Sequence, residues 1–493
     1  MTSLYLNATL RGIEAAAADQ PLMRRAGEAA ALWAEELMRD RSLPVLVLAG
    51  PGNNGGDAFE AARQLREQFF DVVLVHRGES AALPPDAAAA RGRFIAAGGH
   101  CATDIPDVAN WGLIIDGLFG IGLTRAPADQ YAAWIDRANR LAARDGCPLL
   151  ALDCPSGLDA DRGAVFHPAI VASHTITFIA AKPGLYTADG PDHCGEIRIA
   201  ALDVDAAALA PADGETVAPD QFAQWLRPRR RNTHKGSYGS AGVVGGAHSM
   251  LGAVFLAGRA ALRSGAGRVY VGLLDPGAPS IDPVQPELML RKPEGVLDAG
   301  LNALACGPGL GNSLHAIELL ERALTMEIPV VLDADALNLV AFEGNLQVAL
   351  ASRTSPTLLT PHPAEAARLL DRELAEVQAD RIGAAREIAQ HYRCHVALKG
   401  CGTVVVTPDG RWRINTTGNP GMAAAGMGDV LTGITVALLA QRWSAAAALA
   451  AAVHLHGAAG DALAAAGSGP VGLTAGELVD STRAALNRLI HGA

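Results

Sequence analysis

The sequence predicts a protein of two α/β domains, and three observations carry that prediction. The chain has 493 residues, which is too long for a single hydrophobic core. Short apolar runs of strand length alternate with helix-length segments through both halves, as in parallel sheets covered by helices. This periodicity stops near residue 215, where alanine, proline and aspartate dominate. We therefore predict domains at residues 1–215 and 222–490.

The first half begins with helical periodicity from about Glu14 to Met38. A buried strand in "LPVLVLAG" follows, then a Gly/Asn loop and a helix that begins near Asp57. The runs "DVVLVHRG", "WGLIIDGLFGIGL" and "CPLLALDCPSGLDA" repeat the strand pattern, and each ends in Gly, Asp or Pro. "HTITFIAAKPGLYTADG" and "GEIRIAALDV" add two more strands. This order predicts a Rossmann-like doubly wound parallel sheet with ligands at the carboxyl ends of its strands.

The second half repeats the α/β pattern after the basic segment "WLRPRRRNTHKGSYG". "AGVVGG", "RVYVGLL", "LNALACGPGLG" and "IPVVLDADALNLV" are strands that lead into loops or helices, and "HVALKGCGTVVV" follows in the same style. The arginines of the basic segment are either a phosphate contact or a solvated linker face, and we expect the linker face.

Composition excludes several classes of protein. Half of the residues are hydrophobic and 18% are charged, which is typical of a globular chain. The net charge of −11 argues against non-specific binding to nucleic acid or to an anionic membrane. The seven cysteines are scattered without a CxxC pair, so no zinc framework is expected, and they fit reduced thiols in the cytoplasm. The first residues lack the pattern of a signal peptide.

Four loops in the second half follow apolar strands and together predict a phosphate-handling site. They are "KGCGTVVV" from Lys399, "GPGLG" from Gly307, "TPHPAEAARLL" and "GMGDVLTG". Glycine lets a backbone approach a ligand closely, and N–H groups at a helix start attract phosphate. The Walker A pattern is absent, so this is not a P-loop enzyme.

Asp429 is a carboxylate inside the last of these loops, directly before an apolar helix. A carboxylate beside an anion site can take the proton of a substrate hydroxyl while that oxygen attacks a phosphoryl group. Helix capping is the alternative role. Asp333 and Asp335 also end a strand, where water-mediated Mg²⁺ binding and helix capping explain them equally well. His454 and His456 are expected to be structural.

These motifs resemble a known family. "GMGDVLTG", "HKGSYG", "GPGLG", "VLDADALN", "TPHPAEAARLL" and "LKGCGTVVV" are similar to the ribokinase-like ADP- or ATP-dependent NAD(P)H-hydrate dehydratases. "GPGNNGGDAFEAARQL", "IIDGLFGIGL", "LDCPSGL" and "KPGL" resemble the NAD(P)H-hydrate epimerases. Nearly the whole chain therefore resembles the bifunctional NAD(P)H-hydrate repair enzymes, and the resemblance implies a ribokinase-like C-terminal domain.

For the C-terminal domain, the resemblance implies that Asp429 is the catalytic base and contacts the hydrate. It also implies nucleotide contacts and further hydrate contacts. The implied nucleotide-binding residues are Lys399, Gly400, Cys401, Gly402, Thr403 and Gly428, and the hydrate-contacting residues are Ala253, Gly309 and His362. Mg²⁺ and ADP are the implied cofactor and co-substrate. Cys401 stands where a smaller residue is expected.

For the N-terminal domain, the resemblance implies that Asp153 is the acid/base residue of epimerisation, with Lys182 near it. Asn54, Asp116 and Ser156 are the implied ligands of K⁺, which suits hard oxygen donors. The implied substrate-binding residues are Asn53, Asn54, Gly55, Gly56, Asp57, Asp153, Gly120, Ile121, Gly122, Leu123, Thr124, Arg125 and Ala126. Capping after a strand is the alternative role of Asp116 and Asp153. Glu60 stands where an apolar residue is expected.

The leading hypothesis is repair of hydrated NADH and NADPH (NADHX and NADPHX). The first domain would interconvert the R and S hydrates, and the second would dehydrate the S form with ADP. Two alternatives stay open at this point: a ribokinase-like kinase of a small vitamin-precursor alcohol, and a catalytically silent N-terminal binding module. The choice between ADP and ATP is open as well, as is the preference for NADHX or NADPHX, and a homo-oligomer is expected.

Overall fold

The computed structural model describes residues 1–78, 82–467 and 469–492. The chain divides into an N-terminal unit, Thr2–Gly214, and a C-terminal unit formed by Glu215–Ala493 with Met1. Each unit is an α/β structure built on a largely parallel sheet, which confirms the predicted fold class.

The N-terminal unit alternates strands and helices along the chain. Its strands are β1 (Ser3–Leu4), β2 (Val45–Ala49), β3 (Val72–Val75), β4 (Cys101–Ala102), β5 (Leu113–Gly117), β6 (Leu149–Leu152), β7 (His174–Phe178) and β8 (Glu196–Ala200). Its helices are α1 (Asn7–Ala16), α2 (Leu22–Leu37), α3 (Asn53–Glu67), α4 (Pro85–Ala96), α5 (Asp129–Asp145), α6 (Gly190–Cys194) and α7 (Ala206–Leu209).

The N-terminal sheet runs in the order β4-β3-β2-β5-β6-β7-β8 with every pair parallel. The strand order reverses between β2 and β5, and a doubly wound sheet opens its ligand crevice at such a reversal. The segments that follow β2, β5 and β6 therefore meet at one edge of the sheet.

Two helix predictions in this unit need correction. The predicted helix from Glu14 to Met38 is two helices, because the chain turns between Ala17 and Pro21, and proline cannot continue a helix whose interior it would enter. The predicted Gly/Asn loop before Asp57 is instead the first turn of α3, which begins at Asn53. The glycines there allow close packing, since a Cβ on Gly55 would collide with the backbone of Gly50.

The C-terminal unit continues the alternation with more elements. Its strands are β9 (Gly214–Thr216), β10 (Ser240–Gly245), β11 (Arg268–Leu273), β12 (Met289–Arg291), β13 (Ala303–Cys306), β14 (Val330–Leu332), β15 (Thr357–Leu359), β16 (His395–Leu398), β17 (Val404–Val406) and β18 (Trp412–Ile414). Its helices are α8 (Leu251–Arg263), α9 (Pro293–Leu297), α10 (Leu314–Thr325), α11 (Asp335–Phe342), α12 (Gly344–Ala351), α13 (Pro363–Leu370), α14 (Leu374–Ala379), α15 (Arg381–His391), α16 (Met427–Ala440), α17 (Ala445–Ala466) and α18 (Ala475–His491).

The sheet of this unit runs in the order β9-β18-β17-β16-β15-β14-β13-β10-β11-β12. The strands from β16 to β12 pair in parallel, whereas β17 is antiparallel to both of its neighbours. Helix α16 is buried along most of its length and packs against α8 and α17. This packing fixes the first turn of α16 beside the carboxyl ends of the parallel strands. None of the described helices is long and apolar enough to span a membrane.

Candidate active sites in the two units

The first candidate site surrounds the first turn of α16. Asp429 lies there, and the residue that precedes the helix is Gly426, with a φ of 87°. Within the described residues the Asp429 carboxylate forms no hydrogen bond, so it does not cap the helix. Burial, and next the neighbouring Asp333 carboxylate, raise the pKa of Asp429 to about 7. A carboxylate with such a pKa accepts a proton readily near neutral pH.

Lys399 connects three of the loops that the sequence singled out. It directly follows β16, and its Nζ donates to Asp333 Oδ1 at 2.7 Å and lies 3.8 Å from Glu365 Oε2. Although burial opposes the charge, the two carboxylates raise the pKa of Lys399 above its usual value. Thr432, one turn beyond Asp429 on α16, donates to the other oxygen of Asp333 at 2.7 Å. The ammonium group is therefore held in place by Asp333, and not by Asp429.

Asp333 and Asp335 are not capping residues in this structure. The residue before α11 is Ala334, which receives no side-chain cap. Asp333 is 1% exposed and uses both oxygens for Lys399 and Thr432, while Asp335 accepts a hydrogen bond from Gly311 N at 2.8 Å. Direct coordination of a metal by Asp333 does not fit these contacts. The described part of the chain contains no group of three or more His, Cys, Asp or Glu side chains that is arranged to hold a metal ion.

His362 and Glu365 form the start of α13. His362 Nδ1 accepts from the N–H groups of Ala364 and Glu365 at 3.1 and 3.3 Å, and Glu365 Oε2 accepts from His362 N at 2.7 Å. Because Nδ1 is an acceptor, Nε2 carries the proton and faces Glu365 Oε1 at 3.2 Å. This arrangement fixes the orientation of the His362 ring. Glu365 contacts both His362 and Lys399 and therefore links the two side chains.

The glycines of the sequence motifs lie where the backbone leaves no room for a side chain or comes close to Lys399. Gly309 has a φ of 59°, and a Cβ there would meet the carbonyl of Met250, just ahead of α8. Ala253 lies in the first turn of α8, so the two predicted hydrate contacts are brought to the same corner. A Cβ on Gly428 would come within 3.2 Å of Lys399 Nζ, so the cation lies beside that glycine backbone.

The Lys399–Thr403 loop joins β16 to β17 and is supported from behind. Arg381 is 2% exposed and donates to the carbonyls of Leu398 and Lys399 at 3.3 and 3.2 Å. Gly400 has a φ of 137°, and a Cβ there would come within 2.9 Å of the Arg381 guanidinium. Cys401 is exposed on this loop.

The second candidate site is a cavity of about 710 Å³ in the N-terminal unit. It opens at the carboxyl ends of β2, β5 and β6, where the strand order reverses. The predicted residues that line it are Asn53, Asn54, Asp57, Gly120, Ile121, Gly122, Leu123 and Asp153. Gly55 and Gly56 are buried in helix packing instead. Thr124, Arg125 and Ala126 lie on the exposed continuation of the Gly120 loop.

Asp153 directly follows β6 with a φ of 65°, an unusual conformation for a residue other than glycine. One carboxylate oxygen accepts from Lys182 Nζ, and the other accepts from Ile121 N at 3.3 Å. Lys182 is 1% exposed and also donates to Thr177 Oγ1 at 2.7 Å and Phe178 O at 3.0 Å. The expected proximity of Lys182 to Asp153 is therefore confirmed.

Asp57 is a second carboxyl group in the same cavity. Its pKa is raised well above the usual value, first by burial and then by the charges of Asp153 and Glu14. Glu14, on α1, also lines this cavity, and burial followed by the charge of Asp153 raises its pKa. Sequence reasoning missed Glu14, and no motif around it gives a signal.

Asn54 lines the cavity, whereas Asp116 and Ser156 are buried and do not line it. The Asp116 side chain is fully buried and accepts from Ser156 Oγ at 2.7 Å and Ser156 N at 2.8 Å. Burial raises the pKa of Asp116 to about 6 despite these bonds. The side-chain oxygen and nitrogen of Asn54 are buried without a hydrogen-bond partner in the described part of the chain. An orphaned amide oxygen is costly unless a ligand or ion satisfies it.

The remaining predictions concern Glu60 and the two histidines of α17. Glu60 is buried in α3 between Arg63 and Arg93, both of which pair with it. Its charge is therefore compensated within the helix packing. His456 Nε2 contacts Met427 O at 2.9 Å, and burial lowers its pKa to about 4, so a neutral ring donates to the carbonyl. His454 packs against Phe222, and both contacts fit the structural role expected of these histidines.

Both units are similar in sequence to known protein families. Residues 241–482 match the sequence family described as NAD(P)H-hydrate dehydratase, and residues 19–184 match the family described as YjeF-related protein N-terminus. The bifunctional NAD(P)H-hydrate repair enzyme of Escherichia coli is 39% identical, over 90% of this chain and 85% of its own length. The enzyme of the same description from Coxiella burnetii is 37% identical, over 99% of this chain and its full length.

A solved structure supports the fold of the C-terminal unit. The ADP/ATP-dependent NAD(P)H-hydrate dehydratase of Bacillus subtilis, co-crystallised with ATP and Mg²⁺, is 33% identical with a TM-score of 0.50. The match covers 56% of this chain and 99% of the Bacillus chain.

Proposed function

This chain belongs to the family of bifunctional NAD(P)H-hydrate repair enzymes, and from that premise we propose how its two units share the repair. The protein is an isomerase and a lyase that restores hydrated NADH and NADPH. We assign epimerisation of the R and S hydrates to residues 1–215 and ADP-dependent dehydration of the S hydrate to residues 222–490. The kinase alternative is not favoured, because the relatives are named bifunctional NAD(P)H-hydrate repair enzymes and residues 241–482 match the NAD(P)H-hydrate dehydratase family.

The single observation that carries the dehydratase proposal is the environment of Asp429. Its carboxylate lies in the first turn of α16 without a hydrogen-bond partner in the described residues, and its pKa is about 7. It accepts the proton of the hydrate's hydroxyl while that oxygen attacks the terminal phosphoryl group of ADP. The bond from phosphorus to the oxygen of AMP breaks. Phosphate then leaves the ring carbon as the neighbouring carbon loses a proton, and the ring double bond is restored.

The rest of the C-terminal site supports this step by position and charge. Lys399 and the N–H groups at the start of α16 supply positive charge for the phosphates. We propose that the loop Lys399–Thr403 and Gly428 hold the nucleotide, and that Ala253, Gly309 and His362 contact the hydrate. Mg²⁺ would neutralise phosphate charge when bound. Because both oxygens of Asp333 already accept hydrogen bonds from Lys399 and Thr432, we propose that Asp333 would not be a direct ligand of such an ion.

Asp153 is the proposed acid/base group of the epimerase. In the proposed route, the hydroxyl leaves the ring carbon as water and water returns from the opposite face. A proton must therefore be delivered to the departing oxygen and removed from the entering one. Asp153 lies in the cavity with the required access, and Lys182 fixes its orientation. Asn53, Asn54 and Asp57, with the loop 120–126, would hold the hydrate.

The side chains of Asn54, Asp116 and Ser156 would suit a monovalent cation such as K⁺. The orphaned amide oxygen of Asn54, the Asp116 carboxylate and the Ser156 hydroxyl are hard oxygen donors. Bound K⁺ would supply positive charge to the substrate loop. We expect K⁺ to raise the melting temperature of the protein more than Li⁺ does, and Asn54→Leu to remove that difference. Equal effects of the two ions on the wild-type protein would contradict the cation site.

The direct test of the dehydratase assignment uses the pure S hydrate of NADH. With ADP and Mg²⁺, we expect the absorbance of reduced nicotinamide to return and AMP to appear in equal amount. Replacement of ADP by ATP in a parallel reaction identifies the better donor. Failure of both nucleotides to support the return of absorbance would contradict the proposal.

A further inference from the structure

A cavity in the C-terminal unit lies far from Asp429. It has a volume of about 920 Å³ and lies among the carboxyl-terminal ends of α8, α16 and α18. Its lining includes Gln441, twelve residues beyond Asp429 at the other end of α16. Because a helix rises 1.5 Å per residue, the two positions are about 18 Å apart. A small ligand in this cavity therefore cannot touch the proposed base.

The lining of this cavity is strongly basic in a chain whose net charge is −11. Four arginines contribute, namely Arg227, Arg229, Arg263 and Arg483, against one acidic lining residue, Glu287. Arg263 forms an ion pair with Asp480 at 2.7 Å. The guanidinium of Arg483 forms no hydrogen bond or ion pair with any described residue. The cavity therefore keeps an excess of positive charge and donors to spare.

Arg229 is held ready for a ligand. One of its terminal nitrogens donates to Gly265 O and to Gln441 Oε1, the latter at 2.9 Å. Its guanidinium carbon lies 3.6 Å from the ring centroid of Tyr238. Its remaining N–H groups bond to nothing in the described part of the chain. A guanidinium fixed in this way loses little freedom when it binds an anion such as phosphate.

Aromatic side chains provide a flat surface beside the arginines. The rings of Trp225 and Trp443 are stacked, with centroids 5.9 Å apart and planes at 21°, and both line the cavity. The indole N–H of Trp225 is buried and has no acceptor among the described residues. Stacked indoles bind planar rings, and an unsatisfied N–H needs an acceptor.

We propose that this cavity is a second nucleotide site, in which the arginines hold the phosphate and the tryptophans stack on the base. Bidentate donors suit phosphate, and a cavity of this size accommodates a nucleotide. The proposal gives Arg227 and Arg229 of the basic segment a role other than the solvated linker face expected from the sequence. It does not depend on the activity assigned to the Asp429 site.

Equilibrium dialysis of the full-length protein with ADP tests this proposal. We expect the double variant Arg227→Gln with Arg483→Gln to bind one ADP per chain fewer than the wild type. Arg488→Gln is the matched control, because Arg488 lies on the same helix as Arg483 but outside the cavity. Trp443→Leu should weaken ADP binding at this site about tenfold, because it removes the stacking of the base on the indole. If the Asp429 site binds no ADP, the wild type should bind one ADP per chain and the double variant none. The difference of one ADP per chain therefore remains.

The second site would be overturned if the double variant bound as many ADP molecules as the wild type at saturation. Light scattering then shows whether the double variant has also changed its molar mass. A changed molar mass with an unchanged ADP count would show that the cavity is an interface between copies of the chain.

Discussion

The two candidate sites use the same pair of residue types in different ways. In the N-terminal unit, Lys182 bonds directly to the acid/base candidate Asp153. In the C-terminal unit, Lys399 bonds to Asp333 and leaves Asp429 without a bonded cation. Burial and the nearby Asp333 carboxylate then raise the pKa of Asp429 to about 7. In one site the lysine therefore orients the proposed acid/base carboxylate, whereas in the other it leaves the proposed base unbonded.

The largest expected effect is the loss of the poised base. Asp429→Asn should lower the rate of dehydration of the S hydrate by about 10³-fold, because an amide cannot accept the hydroxyl proton. The measurement is the return of reduced-nicotinamide absorbance with ADP and the pure S hydrate. Epimerisation by the same variant, followed by NMR without nucleotide, should be unchanged and serves as its control. A dehydration rate within tenfold of the wild type would show that Asp429 is not the base.

The matching change in the N-terminal unit tests the carboxylate of Asp153, which Lys182 orients. Asp153→Asn should slow epimerisation by about 10²-fold and leave dehydration of the S hydrate intact. Lys182→Met should also slow epimerisation, because it removes the group that orients the carboxylate. NMR of a single epimer without nucleotide measures both. Unchanged epimerisation in Asp153→Asn would support a silent or misassigned N-terminal unit.

The pH dependence of dehydration tests the raised pKa of Asp429. Because the pKa of Asp429 is raised and the base must be ionised, dehydration should be fast above pH 7. It should fall about tenfold per pH unit well below pH 7. Asp333→Asn removes the carboxylate that raises this pKa, so the acidic limb should move to lower pH. Asp335→Asn is the graded control, with a smaller shift, because Asp335 is a weaker cause of the raised pKa. An acidic limb that stays in place in Asp333→Asn would contradict this electrostatic account.

A stability prediction concerns the N-terminal unit alone. Glu60→Gln removes the anion that Arg63 and Arg93 share in the packing of α3. Because both arginines reach solvent in part, we expect a loss of about 1–3 kcal/mol in the free energy of unfolding. Denaturant unfolding followed by circular dichroism measures it, with Glu67→Gln on the exposed side of Arg63 as the control. An increase in the free energy of unfolding would show that the buried charge of Glu60 destabilises the protein.

The smallest effect is expected at Cys401. Its side chain is exposed at the tip of the Lys399–Thr403 loop, so Cys401→Ala should change the KM for ADP by less than about threefold. Steady-state kinetics with the S hydrate measures it. A tenfold change would show that the thiol contacts the nucleotide.

The sequence predicted the parts of each site that follow local rules. Apolar strands that end in glycine or aspartate placed Asp153 and Asp429 at strand or helix ends, where the structure has them. The start of α3 was missed, because "NNGG" is typical of a loop and only the packing of Gly55 on Gly50 shows why a helix begins there.

Side-chain partners across the sheet could not be predicted, because they depend on three-dimensional neighbours. Nothing near Lys399 in the chain indicates that its partner is Asp333. Thr432 was within reach of sequence reasoning, since its spacing of three from Asp429 places both on one helix face. Glu365 follows His362 by the spacing of a capping box, which predicts the cap but not the contact with Lys399.

Recovery of NADH from the mixed R and S hydrates, in the presence of ADP, Mg²⁺ and K⁺, tests the division of labour between the units most directly. We predict that the wild-type protein restores essentially all of the reduced-nicotinamide absorbance. Over the same time Asp153→Asn should restore only the S fraction, and Asp429→Asn should restore none. Full recovery by Asp153→Asn at the wild-type rate, or any comparable recovery by Asp429→Asn, would contradict the account.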